Sequence, residues 1–399
     1  MRRTALLALV AALIIAAIPV TAAGGPPETV RFATFNASLN RFNAGDLVSD
    51  LSTPDNPQAK VIAEIIQITR PDVLLINEFD YDGDELAVDL FRKNYLAVSQ
   101  DGADPIEYPY AFVAPSNTGI PSGFDLNNDG AVGGPDDAFG FGFFPGQYGM
   151  VVYSKYPIVG ARTFQEFLWK DMPGAMLPVD PTTGESWYSP EELDVFRLSS
   201  KSHWDVEIEI GRKQVHFLVS HPTPPVFDGP EDRNGTRNFD EIRFWADYIL
   251  PSRSRYIYDD DGNYGGIEPG EPFVIAGDQN SDPLDGDSIP GAIQQLLDHP
   301  RVNDKETPTS TGGVWASETQ GGINDDHLSD PAEDTADFSD SAPGNLRADY
   351  VLPSKQLRIV DSAVFWPAPD EPHFDLTGTF PFPSSDHRLV WVDVMVPGR

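Results

Sequence analysis

The sequence predicts an α/β protein in which mixed β-sheets carry helices on their outer faces. Short apolar runs that are typical of strands are interspersed with a few amphipathic segments that are typical of helices. Polar residues that could do chemistry follow several of the apolar runs directly. This pattern indicates a sheet scaffold that presents a functional site at the ends of its strands.

The first half of the chain contains both kinds of pattern. Apolar and polar residues alternate over 28–36, which predicts a strand ending at Asn36. Ala59, Ile62 and Ile66 recur at helical spacing before Pro71, which marks a helix end. In chain order the predicted elements are strand 28–36, helix 57–70, strand 72–78, helix 86–94 and strand 148–154.

The second half continues with more strands than helices. A turn at Gly211 and Arg212 separates two strand patterns and predicts a hairpin whose second strand ends at His221. The predicted elements are strands 204–210 and 214–221, helix 240–250, strand 273–276, helix 292–297 and strands 347–353, 360–366 and 389–394. Three stretches read as irregular insertions, namely about 101–147, 171–192 and 306–347.

The N-terminus has the pattern of a signal peptide. Arg2 and Arg3 precede an apolar stretch over 5–20, and small residues at 20–23 suit cleavage. A retained membrane anchor is the alternative, but the stretch is short for a span of about 20 residues. We therefore expect residues 1–23 to be removed, residues 24–399 to form one domain, and the protein to be secreted or periplasmic without a stable membrane anchor.

Composition limits the function classes. The chain has no cysteine, which excludes disulfides, thiolate metal sites and a cysteine nucleophile. Its formal net charge of −35 disfavours binding to nucleic acid and to anionic membranes at long range. Bound metals can still reverse the field at one site, so a phosphorylated substrate is not excluded.

The segment 272–280 is the most informative local motif. The apolar run 273–276 breaks at Gly277 and is followed by Asp278 and Asn280. A carboxylate can bind a metal or take a proton, and an amide can orient a phosphate oxygen. A plain Gly-Asp turn with a capping side chain explains the segment equally well, so the rest of the chain has to decide.

Taken in chain order, seven motifs resemble the endonuclease/exonuclease/phosphatase superfamily. That group includes deoxyribonucleases of the pancreatic type, abasic-site endonucleases, bacterial sphingomyelinases and inositol polyphosphate phosphatases. The matching pieces are RFATFN (31–36), DVLLINEFD (72–80), YGMVVYSKYPI (148–158), LVSH (218–221), FVIAGDQN (273–280), RADYVL (347–352) and SSDHRLVWVDV (384–394). They span nearly the whole mature chain, and the resemblance implies a four-layer α/β sandwich of two packed mixed β-sheets flanked by helices.

The resemblance also implies roles for individual residues. Glu78 is similar to the main metal ligand, with Asn36 beside it on metal or phosphate and Asp386 as a further ligand. His221 is similar to the phosphate-stabilising histidine, although the glutamate that often supports it is not identifiable near 148–150. Asp278 is expected to position or deprotonate the attacking water, Asn280 to orient the phosphate, and His387 to act as general base or transition-state stabiliser held by Asp349.

These residue types suit phosphoryl transfer, which needs charge neutralisation and an in-line nucleophile. Hard oxygen ligands favour Mg²⁺ or Mn²⁺, and a histidine handles protons near neutral pH. We therefore expect a metal-dependent phosphoesterase that hydrolyses mono- or diesters as a monomer. An extracellular nuclease and a non-catalytic, calcium-stabilised binding module are the alternatives. For Arg197 and Lys201 solvated surface is favoured, and contact with the phosphate is the alternative.

A second metal motif lies inside the first insertion. DLNNDGAVGGPDD over 125–137 resembles an EF-hand or dockerin-like loop. Asp125, Asn127 and Asp129 take positions 1, 3 and 5, Ala131 offers its carbonyl at 7, and Asp136 takes position 12 in place of glutamate. A structural Ca²⁺ is expected here, with an acidic turn as the alternative.

Overall fold

The computed structural model describes residues 27–398, so the expected signal peptide 1–23 lies outside the described residues. Two β-sheets, one of six and one of five strands, pack face to face, and a two-stranded ribbon accompanies them. The strands are β1 (Glu28–Asn36), β2 (Val73–Asn77), β3 (Tyr110–Phe112), β4 (Met150–Ser154), β5 (Ile158–Thr163), β6 (His203–Ile210), β7 (Lys213–Ser220), β8 (Phe273–Asp278), β9 (Ala336–Asp337), β10 (Asn345–Leu346), β11 (Asp349–Pro353), β12 (Arg358–Val364) and β13 (Val390–Val396).

Helices cover the outer faces of both sheets. They are α1 (Asp46–Leu51), α2 (Pro57–Thr69), α3 (Leu86–Phe91), α4 (Pro190–Leu193), α5 (Arg233–Tyr248), α6 (Gln294–Leu297), α7 (Thr311–Gln320) and α8 (Phe374–Thr377). The predicted four-layer α/β sandwich is thereby confirmed. Among the helices of residues 27–398, none has the length and apolar character needed to cross a membrane.

The strand order brings the predicted site residues to one edge of the sandwich. The sheets run β12-β13-β1-β2-β4-β3 and β11-β8-β7-β6-β5. Strands β1 and β2 are parallel, and so are β7 and β8, so the polar residues after them emerge at the same ends. Strand β11 is antiparallel to β8, and its first residue, Asp349, lies opposite Asp278.

Three apolar clusters hold the layers together. Phe32 and Phe217 meet between the two sheets, Ile62 of α2 packs on the outer face of the first sheet, and Trp245 of α5 packs on the second. All four side chains are fully buried. Each such burial contributes about 1.5–3 kcal/mol, which suits a chain that has no disulfide to stabilise it.

The structure corrects three sequence expectations. Helix α5 begins at Arg233 rather than at 240, because its polar first turns are buried and their side chains bond to neighbouring loops. Segment 306–347, expected to be irregular, contains helix α7 and strands β9 and β10. Strand β5 was not predicted from the sequence and pairs with β6.

Candidate active site

All eight predicted active-site residues meet at the cleft between the strand ends. Glu78, His221, Asp278, Asn280, Asp386 and His387 line a cavity of about 460 Å³. Asn36 and Asp349 contact these residues from below the cavity, through hydrogen bonds to Asp278 and His387 respectively. The tertiary structure therefore brings together the same eight residues that the sequence motifs indicated.

A buried relay of two carboxylates and one imidazole forms one wall. His387 donates from Nδ1 to Asp349 Oδ2 at 2.8 Å, and its Nε2 lies 3.6 Å from Asp278 Oδ2. Burial alone would lower the pKa of His387, but the charges of Asp349 and Asp278 outweigh it and raise that pKa well above its usual value. Thr335 also donates to Asp349 Oδ2 at 2.9 Å, so the relay is held from behind.

Asp278 is the most heavily bonded carboxylate of the cleft. Its Oδ1 accepts from the backbone N–H of Asn280 at 2.9 Å, and its Oδ2 accepts from Asn36 at 3.1 Å. His221 Nε2 lies 3.3 Å from the same Oδ2. Burial opposes ionisation, but the charges of His387 and His221 and these hydrogen bonds hold the pKa of Asp278 far below its usual range. Asp278 is thus ionised at neutral pH.

The facing wall carries a pair of acids. Glu78 accepts hydrogen bonds from Asn40 at 2.7 Å and from Asn36 at 3.3 Å. Burial and the negative charge of Asp386 raise the pKa of Glu78. The amide nitrogen of Asn36 faces the carboxylates and donates to Glu78, while its oxygen accepts from the backbone N–H of Ser38 at 3.2 Å.

His221 lacks the carboxylate support that the family resemblance led us to seek. Its Nδ1 is buried and has no hydrogen-bond partner among the described residues. Burial and the nearby Lys201 charge lower the pKa of His221 to about 4, so the ring is neutral. Its Nε2 then donates to Asp278.

Sequence reasoning misplaced one residue beside the cleft, Lys201, and did not single out two others, Asn238 and Glu241. Lys201, assigned to solvated surface, is only 7% exposed and lies in the interior, which makes that assignment wrong. Glu241 accepts from the backbone N–H groups of Ser200 and Thr223, both at 2.6 Å. Asn238 donates to the carbonyls of Thr223 at 2.8 Å and Gln279 at 2.9 Å. No local pattern signals these contacts, since each joins distant segments.

Arg388 supports the loop that carries Asp386 and His387. It is 1% exposed, donates to the carbonyl of Ser385 at 2.7 Å and pairs with Asp337 at 3.2 Å. Burial lowers its pKa to about 10, which leaves it charged at neutral pH. A buried arginine thus helps to hold the loop that places Asp386 and His387 at the cleft.

The expected calcium loop is an exposed turn held by its own side chains. Asp125 accepts from the backbone N–H groups of Asp129 and Gly130, and Asn127 and Asp129 also accept from nearby N–H groups, with Ala131 as one donor. The carboxylate that closes the turn belongs to Asp137, which accepts from Leu126 and Gly133 at 2.7 Å each. Asp136 instead lines a cavity beside the cleft.

The donor set of the cleft fits a hard divalent cation. The Asp386 carboxylate is close enough to Glu78 to raise the pKa of Glu78. The side chains that donate hydrogen bonds to Glu78 are amides and carry no positive charge. A cation would relieve this repulsion. Asp278, Asp349 and His387 also place ligand-type atoms within 4.8 Å of one another, but Asp349 and His387 are already hydrogen-bonded to each other, which favours a proton relay.

Comparison with known families agrees with this geometry. A family model described as Endonuclease/Exonuclease/phosphatase family matches residues 33–387. No curated protein matches the chain in sequence.

Solved structures of similar proteins cover most of the chain. An endonuclease/exonuclease/phosphatase from Beutenbergia cavernae DSM 12333 is 18% identical with a TM-score of 0.48, over 92% of this chain and 72% of that chain. Sphingomyelinase C from Streptomyces griseocarneus is 14% identical with a TM-score of 0.44, over 92% and 99%. Truncated TDP2 from Caenorhabditis elegans is 13% identical with a TM-score of 0.44, over 92% and 98%. At these identities and TM-scores, the family assignment rests on the family model alone.

Proposed function

The chain belongs to the Endonuclease/Exonuclease/phosphatase family, and on that premise we propose that it is an exported, divalent-metal-dependent phosphoesterase. Members of this family are hydrolases that act on phosphoester bonds, typically with a divalent metal. The proposed reaction is hydrolysis of a phosphate mono- or diester by direct attack of water. The described cleft supports this reaction more strongly than it supports a binding role.

One observation carries the proposal. The buried relay of Asp278, His387 and Asp349 shares a single cleft with the acid pair of Glu78 and Asp386. A non-catalytic binding module has no need to bury three ionisable groups in mutual contact, because such burial is costly. Phosphoryl transfer requires an activated water and neutralisation of charge on the phosphate. The relay wall of the cleft suits the first requirement, and the wall with Glu78 and Asp386 suits the second through a bound cation.

Each residue of the relay has a role that follows from its contacts. Asp278 accepts a proton from the attacking water, whose oxygen forms the new bond to phosphorus as the ester P–O bond breaks. Asn280 and the cationic His387 face the phosphate from the same cleft. The leaving oxygen takes up a proton from solvent. Asp349 keeps the His387 ring oriented through Nδ1. His221 fixes Asp278 through Nε2.

Glu78 and Asp386 are the residues that would hold Mg²⁺ or Mn²⁺. A bound ion supplies Lewis acidity and neutralises charge on the phosphate oxygens. Asn36 would join as a ligand only if its amide turned its oxygen toward Glu78.

Direct assay tests the proposal. The mature protein is incubated with a panel of phosphate esters, including bis(p-nitrophenyl) phosphate, nucleotides, phospholipid head groups, sugar phosphates and DNA, with Mg²⁺, Mn²⁺ or Ca²⁺. We expect hydrolysis that EDTA abolishes and that Asp278→Ala and His387→Ala each reduce at least 10²-fold. His373→Ala serves as control because this histidine is exposed and lines a different cavity from the cleft. Activity that survives EDTA and both substitutions contradicts the mechanism.

The same panel separates a small-ester phosphoesterase from a nuclease. The net charge of −35 opposes a polyanion at long range. We therefore propose that the substrate is a small phosphate ester rather than duplex DNA. Preferential cleavage of DNA in the panel would support the nuclease function instead.

Export and calcium binding are proposed from the sequence patterns. Export predicts that protein recovered outside the cytoplasm begins after residue 22 or 23. A structural Ca²⁺ in loop 125–136 predicts that Asp125→Ala lowers the thermal midpoint by more in the presence of Ca²⁺ than in its absence, where only the two backbone hydrogen bonds to Asp125 are lost. Because this loop lies outside the relay, kcat should change less than twofold. Equal midpoints with and without Ca²⁺ in the unsubstituted protein would rule out the calcium site.

A further inference from the structure

A second cavity, of about 500 Å³, opens beside the catalytic cleft. The two cavities share Glu78 and His221, whereas Asp278, Asn280 and His387 line the cleft and not the second cavity. The second cavity therefore joins the cleft on the Glu78 side of the relay. The hydrolytic steps described above make no use of this space.

The walls of the second cavity are largely apolar and aromatic. Ala138 and Phe141 come from insertion 101–147, and Tyr188 comes from insertion 171–192. Phe196 forms a further part of the wall. The volume lies within the ~300–1,000 Å³ typical of small-ligand sites. Two insertions that have no part in the catalytic motifs thus build a compartment that suits a compact apolar group.

Phe227 stands between the two cavities and lines both. Its φ is 68° and its side chain is 86% exposed. A bulky residue rarely adopts this left-handed conformation, and burial does not compensate for it here. Such strain concentrates at ligand sites, so Phe227 is placed to contact a group that extends from the cleft into the second cavity.

A buried lysine, Lys201, forms part of the wall of this compartment. It lines the cavity, is 7% exposed, and its ammonium makes no hydrogen bond or ion pair with any described residue. Burial lowers the pKa of Lys201, while the charges of Glu241, Glu78 and Asp278 act to raise it. A buried ammonium without a partner is costly, and an anionic group at the junction of the cavities would offset this cost.

The other cations of the cavity already have partners. Arg233 pairs with Glu231. Arg237 donates to the carbonyls of Leu198, Phe139 and Arg197 and lies over the ring of Phe196. Lys201 is therefore the cation of this cavity that remains available to a ligand, among the residues that the structure describes.

We propose that the second cavity binds the organic group esterified to the phosphate, and that this group is compact, apolar and ring-bearing. Lys201 contacts a nonbridging oxygen of the phosphate where the two cavities meet. Aromatic walls favour a ring through stacked or edge-on contacts. This inference rests on the phosphoesterase function proposed above and names the class of ester that it takes.

Binding of two non-hydrolysable probes tests the cavity. Benzylphosphonate and ethylphosphonate share the anionic group and differ in the ring, and their affinities for the Mg²⁺-loaded protein are measured by calorimetry. We expect benzylphosphonate to bind at least tenfold tighter. Phe141→Ala should reduce that preference at least threefold, whereas Phe143→Ala should leave it unchanged. Phe143 is the matched control because it is exposed, lies 5.7 Å from Phe141 and lines neither cavity.

Lys201→Met tests the charged contact. We expect the substitution to lower the affinities for both phosphonates by the same factor, about tenfold, because a charge-assisted hydrogen bond to the phosphonate group that they share is lost. If Lys201 has only a structural role, Lys201→Met should lower the thermal midpoint without lowering the two affinities by an equal factor. Unchanged affinities for both probes would overturn the role of Lys201.

The outcomes also separate the inference from the proposed function. If the protein hydrolyses bis(p-nitrophenyl) phosphate but binds the two phosphonates equally, the inference about the cavity fails alone. If no ester of the panel is hydrolysed with Mg²⁺, Mn²⁺ or Ca²⁺, the proposed function fails and the inference with it. A benzyl preference that Phe141→Ala leaves intact places the ring elsewhere and overturns the assignment of this cavity.

Discussion

Gly277 is the position at which a single methyl group should damage both the fold and the cleft. It precedes Asp278 in β8, and its φ is 144°, a conformation that L side chains rarely adopt. A Cβ built there would lie 2.0 Å from the backbone oxygen of Ser220 in β7 and 3.1 Å from Gln279 Nε2. Real Cβ atoms essentially never approach a neighbour within 3.0 Å, so the strands must separate by about 1 Å.

The magnitude follows from two costs. Overpacking of a well-packed interior costs about 1–3 kcal/mol, and an unfavourable backbone conformation adds about 1–2 kcal/mol. We therefore expect Gly277→Ala to lower the free energy of unfolding by about 3 kcal/mol. Since Ser220 directly precedes His221, the same displacement lengthens the 3.3 Å contact between His221 and Asp278. A misplacement of about 1 Å can lower kcat/KM roughly 10²-fold.

Urea unfolding and steady-state hydrolysis measure the two effects. Gly265→Ala is the matched control, because Gly265 also has a positive φ, 100°, but no atom lies within 4 Å of its built Cβ. The control isolates backbone strain from the close approach of β7 and β8. If Gly277→Ala loses no more stability than Gly265→Ala, the reasoning about this close approach is wrong.

Three further predictions concern the relay, a buried acid and a loop contact. Asp349→Asn should lower kcat at least 10²-fold and move the alkaline limb of the pH–rate profile to lower pH, because Asp349 raises the pKa of His387; a change below threefold would contradict the relay. Asp334 is buried, and burial together with nearby carboxylates, Asp282 first among them, raises its pKa to about 8. Its folded pKa lies above its unfolded value, so the contribution of Asp334 to stability is most favourable near pH 4 and is lost as pH rises toward 8. Asp334→Asn should accordingly stabilise the protein by a few kcal/mol at pH 8 and not at pH 4, at ~1.4 kcal/mol per pKa unit, and pH-dependent urea unfolding that shows equal effects at both values would refute it. Asn238→Ala should lower kcat more than it raises KM, because it removes the hydrogen bonds to the carbonyls of Thr223 and Gln279 in the loops beside His221 and Asp278. Unchanged steady-state kinetics would show that Asn238 has no positioning role.

The strand-end residues of the site could be predicted from the sequence because the signal is local. An apolar run identifies a buried strand, and the polar residue that follows it emerges at the strand end, as for Asn36, Glu78 and Asp278. The chain order of these residues then indicated a family and a four-layer sandwich. Neither step requires knowledge of which distant segments touch.

Burial of individual polar side chains could not be predicted in this way. Lys201 follows two serines in a polar stretch, and nothing nearby indicates that helix α5 and the insertions enclose it. The first turns of α5 have the composition of a surface loop, yet Arg237, Asn238 and Glu241 are buried there. Their partners lie between 15 and 98 residues away in the chain, so no local pattern records them.

The sequence by itself determined most of the strands of the two sheets, the layered fold and the set of acids, amides and histidines that meet in the cleft, because alternation and strand ends are properties of neighbouring residues. Only the tertiary structure decided the protonation of His387, the neutrality of His221 and the cavity around Lys201. These depend on charges and walls contributed by segments far apart in the chain. Electrostatic shifts and cavity shape are properties of the assembled surroundings, and they exist only once the sheets have packed.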